Sequence, residues 1–213
     1  MADSMDSNET SRTRLLAATI DLVRANGYAA TRVDDVCAAA GVTKGSFFHH
    51  FESKEDLAIC AADFWNRRAA QVFAQAPYAL HPNPLDRLLG YVKFRKQLIA
   101  GDTWEYSCYA GTTIQETHET HPDIRNACAL SIRTHLDMLS TMIEDALAAC
   151  PVPKVAAPDL AVHIQAVIQG AFIMAKALQD KKTALASLEH LRRYLELLFA
   201  SAPVRTQPGK KIR

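Results

Sequence analysis

The chain has 213 residues, is 49% hydrophobic and 22% charged, and carries a formal net charge of +1. That length and apolar content support a buried core, as one large or two small domains, and exclude wholesale disorder. A charge so near zero means that composition alone does not announce nucleic-acid binding, and any such contact must be local.

No run approaches the roughly 18 apolar residues that a membrane span needs. The N-terminal MADSMDSNETSR lacks a basic region followed by an apolar stretch, so the expected location is the cytoplasm. Five cysteines, at positions 37, 60, 108, 128 and 150, show no C-x-x-C spacing. An odd count in a cytosolic chain argues against a disulfide framework or a structural zinc.

In chain order, residues 1–10 are polar and acidic and are expected to be a disordered tail. Arg12 to Asn26 reads as a first helix, with Leu15, Leu16, Ile20, Leu22 and Val23 as its apolar stripe and Asn26-Gly27 as its end. The next stretch, Thr31 to Lys54, carries the clearest signal. Thr31 is the expected N-cap of a short helix, Val33 to Ala40. Gly41 ends that helix, Val42 plugs the turn, and Thr43 caps a second short helix holding Lys44, Gly45, Ser46, Phe47, Phe48, His49 and His50. Helix, glycine-containing turn, helix is the pattern whose second helix enters the DNA major groove.

That second helix has suitable chemistry. Lys44 can neutralise a phosphate or reach guanine O6 and N7. Gly45 lets the backbone come close, and Ser46 and His49 can meet base edges or phosphates. Of Phe47 and Phe48, one should face the core, leaving the other for a thymine methyl. Lys54 opens the following helix, where a cation opposes the helix dipole, and so reads as a phosphate contact. Residues 1–56 hold six Lys/Arg and nine Asp/Glu, a balance of −3, so the positive charge available to DNA is local, around Arg32, Lys44 and Lys54, with two histidines nearby.

Gly27-Tyr28, Thr31, the run Val36 to Phe51 and Ser53-Lys54-Glu55-Asp56-Leu57 together resemble the N-terminal domain of TetR-type transcriptional repressors. The likeness implies a DNA-binding head over 11–56, reading an operator through Thr31, Arg32, Thr43, Lys44, Gly45, Ser46, Phe47, Phe48, His49 and Lys54. The family usually has Tyr where this chain has Phe48, and its hydroxyl often holds a phosphate. Phe48 is therefore carried over only as a packing or thymine-methyl contact.

The remainder, 57–202, reads as an all-α body of about six helices, for about nine in total. Expected spans are Ser53 to Ala76, Leu85 to Ala100, Thr103 to His118, Ile124 to Ala149, Asp159 to Gln179 and Thr183 to Ala202. Residues 203–213 are expected to form a basic, loose tail. This layout again resembles the family, which implies ligand binding and dimerisation in the body.

Gln165 to Ala177 resembles the penultimate helix of a subgroup in which it forms part of the dimer interface. Ala166, Gly170, Ile173 and Ala177 recur at i, i+4, i+7 and i+11, and Leu188, Leu191, Leu195 and Leu198 stripe the last helix. Both stripes are expected to build a homodimer across a two-fold axis matching a palindromic site.

On a helix from Thr103, Trp104, Cys108 and Thr112 would share one face. With Trp65, Tyr91, Phe94, Gln169 and Phe172 they are expected to line a small-molecule pocket, apolar with a few polar groups. Cys108 beside Lys176 would be a reactive thiolate able to sense electrophiles or oxidants. His118 and His121 lack a third ligand for a metal, and no cofactor is expected. The function expected is a ligand-responsive repressor of double-stranded DNA, not an enzyme. The alternatives are an α-helical interaction module without DNA binding, or a hydrolase using Cys108 with His118 or His121.

Overall fold

The protein is described by a computed structural model over residues 10–200. The expected N-terminal tail, apart from Thr10, and the basic C-terminal tail lie outside the described residues. Within them there are nine α-helices and no strand: α1 (Ser11–Asn26), α2 (Val33–Ala40), α3 (Lys44–His50), α4 (Lys54–Ala74), α5 (Pro84–Gln97), α6 (Tyr109–Thr117), α7 (Pro122–Ala149), α8 (Ala157–Leu178) and α9 (Lys181–Ala200). A single 3-10 turn, Pro77–Leu80, precedes α5.

Local chemistry sets most helix starts. Thr10, Thr43 and Ser53 each accept a hydrogen bond from the backbone amide three residues on, at 3.1–3.2 Å, which satisfies an otherwise orphaned donor. Asn83 does the same for α5. Pro122 and Pro158 stand in the first turns of α7 and α8, where a missing N–H costs nothing. Gly41 ends α2 at φ 62°, the left-handed conformation that glycine adopts without strain.

Two departures concern the head and the body. Thr31 does not cap α2; Arg32 occupies that position. Thr31 is buried and its hydroxyl donates to the Gly27 carbonyl at 2.7 Å. The helix expected from Thr103 begins only at Tyr109. In a continued helix the Ser107 carbonyl would accept from the Gly111 amide. Instead Arg24 Nε takes that carbonyl at 2.8 Å, and the Gly111 amide donates to Cys108 Sγ at 3.4 Å. Residues 102–107 are therefore turns.

Two apolar cores result. One joins α1, α2 and α3 to the first half of α4, and it continues into Tyr109, Ala110, Ile124 and Cys128 of α6 and α7. The other fills the body between α5, α7, α8 and α9. Leu57, Ala58, Ala61 and Ala62 belong to the first core, so packing runs across position 56 without a break. The tie is also polar: Tyr109 donates its hydroxyl to the Ala58 carbonyl, and the Glu116 carboxylate accepts the Tyr28 and Ala29 amides at 3.2 and 2.8 Å.

Helix α8 is long and apolar enough to cross a membrane by length and composition, contrary to the expectation from the raw sequence. Here one face is buried, with Ala161, Ile164, Ile168, Phe172 and Ala175 in the body core, as in the central helix of a soluble fold.

Candidate DNA-reading helix and effector cavity

On α3 the residues Lys44, Gly45, Phe48 and His49 are exposed and Phe47 is fully buried. The spacing i, i+1, i+4, i+5 puts the four on one face. Phe47 is thus the core residue of the pair, and its expected DNA role is withdrawn. Phe48 stays 57% exposed, edge-on to Phe47. A Cβ built on Gly45 would meet only Thr43 Oγ1, at 3.8 Å. The fold itself therefore has room for a side chain there.

Ions around this face are already engaged. Lys44 Nζ lies 2.8 Å from Asp34 of α2. Arg32 is held bidentately by Asp35, at 3.0 and 3.1 Å. Ser46 is half-buried and Thr43 is committed as the cap.

Lys54 does not stand free. Its ammonium lies 4.3 Å from the Tyr28 ring centroid and donates to the Ala29 carbonyl at 3.3 Å, and burial lowers its pKa. Its opposition to the helix dipole has this structural reason, and no phosphate is needed to explain it.

Behind the head lies a cavity of about 700 Å³, within the range of small-molecule sites. Four of the expected lining residues are there: Trp65, Cys108, Gln169 and Phe172. The other four are not. Tyr91 is fully buried behind the wall and hydrogen-bonds His135 at 2.8 Å. Phe94 packs on Phe73 and Tyr78. Trp104 sits in the turns, 5.9 Å from the Arg24 guanidinium, and Thr112, half-buried on α6, is not on the wall.

Residues not anticipated complete the wall, among them Arg24, Tyr78, Arg95, Tyr106, His135 and Gln165. A signal for some of them was present. Arg95 follows Leu88, Tyr91 and Val92 on the buried stripe of α5, and His135 lies on the stripe of Cys128, Ser131 and Leu139 in α7. A polar residue on an apolar stripe marks something that needs a partner. Burial, then the Arg95 charge, pushes the His135 imidazole down to about 3.

Arg24 joins head to body. It is buried near the end of α1, packed against Trp65 at 5.2 Å as well as Trp104, with Asp21 3.4 Å away. Burial lowers its pKa, and the Asp21 and Cys108 charges oppose that. The expected Cys108–Lys176 pair is not formed. Lys176 instead donates to the Arg24 carbonyl at 2.9 Å.

Cys108 and His118 cap opposite ends of α6, about 15 Å apart by helix rise, which removes the Cys–His dyad. His121 packs its ring against Tyr28, so it too is engaged elsewhere. Among the described residues no group of three His, Cys, Asp or Glu side chains could hold a metal.

The dimer stripes divide. On α8, Ala166, Ile173 and Ala177 are exposed and Gly170 is half-exposed with nothing near its missing Cβ. On α9 the expectation fails: Leu188, Leu191 and Leu195 are buried in the body core and Leu198 packs against it. The apolar residues that α9 does expose are Tyr194 and Leu197.

Comparison with known proteins decides the family. Residues 15–59 match the family model "Bacterial regulatory proteins, tetR family", and residues 84–189 match "Transcriptional regulator LmrA/YxaF-like, C-terminal domain". The chain belongs to the TetR family of transcriptional regulators.

This TetR-family chain is 27% identical over 203 residues to an uncharacterised HTH-type transcriptional regulator of Mycobacterium tuberculosis, covering 92% of this chain and 98% of that one. It is similar to a TetR regulator of Chloroflexus aurantiacus at 28% identity and a TM-score of 0.77, over 87% and 94% of the two chains. It shares its fold with the reduced form of NemR of E. coli at 21% identity and a TM-score of 0.75, over 92% and 100%. The all-α architecture and the DNA-binding helix-turn-helix head of the TetR family follow.

Proposed function

We propose that this regulator is a repressor. It binds a palindromic operator as a homodimer and leaves it when a small molecule enters the cavity behind the head. The observation that carries this reading is the shared wall. Ala17, Ile20 and Arg24 of α1 line the same cavity as Arg95 of α5 and Gln169 of α8. A molecule filling it presses on α1 and α4, which position α3. Ligand and DNA then favour different settings of one joint, and by linkage each weakens the other.

The dimer face in this reading is the exposed side of α8, with Ala166, Gly170, Ile173 and Ala177, extended by Leu197 of α9. DNA contacts come from Arg32, Lys44, the Gly45 backbone, Phe48 and His49, with Thr43 and Ser46 ordering the first turn of α3. Lys44 and Arg32 exchange a carboxylate for a phosphate on binding. Cys108 lies on the cavity wall, so a reactive electrophile entering the site meets a thiol there. A cytoplasmic location accords with this role.

The test is fluorescence anisotropy of the purified protein on the DNA flanking its own gene, across a salt series, with Lys44→Ala alongside. Saturable, salt-sensitive binding that weakens in the variant supports the reading. No preference over random DNA, with the variant unchanged, refutes it in favour of an interaction module.

A further inference from the structure

We propose that the molecule taken by the cavity is an amphipathic carboxylate. Its acid group pairs with Arg95, and its apolar body lies along Phe172 and the α7 wall. This rests on reading the cavity as the effector site, and it names the chemistry of the ligand.

Among the described residues five buried side-chain polar atoms have no hydrogen-bond partner: Tyr78 Oη, Arg95 Nε, Tyr106 Oη, Gln165 Oε1 and Gln169 Nε2. All five belong to residues on the wall of this one cavity. Buried polar groups in folded proteins are almost always paired, because an unpaired one keeps its full desolvation cost. Five such atoms on residues around one space mark a wall short of polar partners. Four of the five can donate: two phenols, a guanidinium nitrogen and an amide nitrogen. The guest must therefore be rich in acceptors.

Charge narrows this further. The acids and the other cations of the wall are largely spoken for. Arg24 is matched by Asp21 and the Ser107 carbonyl, and Arg87 by Asp145 at 2.9 Å. Glu105 accepts the Asp102 amide. Arg68 is exposed to solvent.

Among the described residues Arg95 has no acidic partner. Its guanidinium rests between two rings, 5.4 Å from Phe73 and 5.5 Å from Phe172. Ring faces hold the cation in place while leaving its donor edge free, and a carboxylate matches that edge with two oxygens. His135 beside it is held neutral by burial and by the Arg95 charge, and adds no second cation there. The apolar part of the wall, with Phe73, Ile99, Met138 and Met142, suits a hydrocarbon or aryl body.

The probes are three matched pairs of acids and their primary amides: phenylbutyrate, naphthylacetate and biphenylcarboxylate. Each is titrated into the full-length protein by calorimetry. The acid of at least one pair should bind about tenfold more tightly than its amide, the worth of one charge-assisted hydrogen bond. Arg95→Gln should abolish that ratio while leaving the amide's affinity in place, and Arg95→Lys, which keeps the charge, should retain most of it. Equal binding of acid and amide, no binding of any probe at millimolar concentration, or an acid preference that survives Arg95→Gln would each overturn the proposal. Should Arg95→Gln fail to fold, the acid-to-amide ratio of the native protein and of Arg95→Lys decides. Operator anisotropy with the same acids separates the two levels. Acids that bind with the predicted preference yet leave DNA affinity unchanged confirm the ligand class and refute the effector role.

Discussion

Replacing His135 by Gln should flatten the dependence of stability on pH. Burial and the Arg95 charge hold the imidazole at about 3 in the folded protein, against about 6.5 in an unfolded chain. A histidine with a depressed folded pKa takes up its proton more readily when unfolded. Stability therefore rises with pH across this window and falls as pH drops below about 6.5. From about pH 7 to about pH 5 the unfolded-state pKa is passed by about 1.5 units, and at about 1.4 kcal/mol per unit the loss approaches about 2 kcal/mol. Glu189, held near 2 by hydrogen bonds from Arg192 and Lys96, adds a slope of the same sign only near pH 5, where its unfolded carboxyl starts to take up protons, and that slope is common to both proteins. The variant gives up the ring contact with Phe73 at 4.8 Å and the Tyr91 hydrogen bond, so it starts out less stable. The informative quantity is the difference in slope. Urea unfolding at the two pH values, at one fixed protein concentration, measures it. Native protein should lose about 2 kcal/mol more than the variant on acidification. Parallel losses would show that His135 titrates normally and that the Arg95 charge is neutralised from another quarter.

Other outcomes follow from the same contacts. Glu116→Ala removes the acceptor of two backbone amides and should cost about 1 kcal/mol, a value kept low by solvent exposure; hydrogen exchange at Tyr28 and Ala29 should speed up, and unchanged exchange would show that the turn holds without it. Ile173→Asp, on the exposed face of α8, should leave the circular dichroism spectrum intact while light scattering reports a monomer and operator binding collapses. A dimer that survives would move the interface elsewhere. Limiting N-ethylmaleimide followed by mass spectrometry should label Cys108 ahead of the buried Cys37 and Cys128; an unlabelled Cys108 ends its role as a sensor.

The head was legible because its punctuation is local. Gly41, Thr43 and Ser53 act within four residues of themselves, and a residue-by-residue reading finds them. Residues 102–108 were not legible, because the partner that takes the Ser107 carbonyl stands 83 positions away in α1. Lys54 was misread for the same reason: its ring and carbonyl partners, Tyr28 and Ala29, belong to an earlier turn. The leucines of α9 show a different limit. A helical stripe has one period whether it faces its own core or a second subunit, so spacing alone could not tell that Leu191 packs into its own core, while Leu197, off that stripe, is 72% exposed. Of the cavity wall, Trp65, Cys108, Gln169 and Phe172 were reached from the sequence. The polar half required seeing that Arg95 and His135 interrupt buried stripes.

The chain contains two tryptophans, and both rings lie against the Arg24 guanidinium. Indole emission responds to a nearby cation and to water. The protein therefore carries an intrinsic optical gauge where α1 meets the body. A ligand that shifts α1, as proposed, should register in its ultraviolet fluorescence with no dye attached.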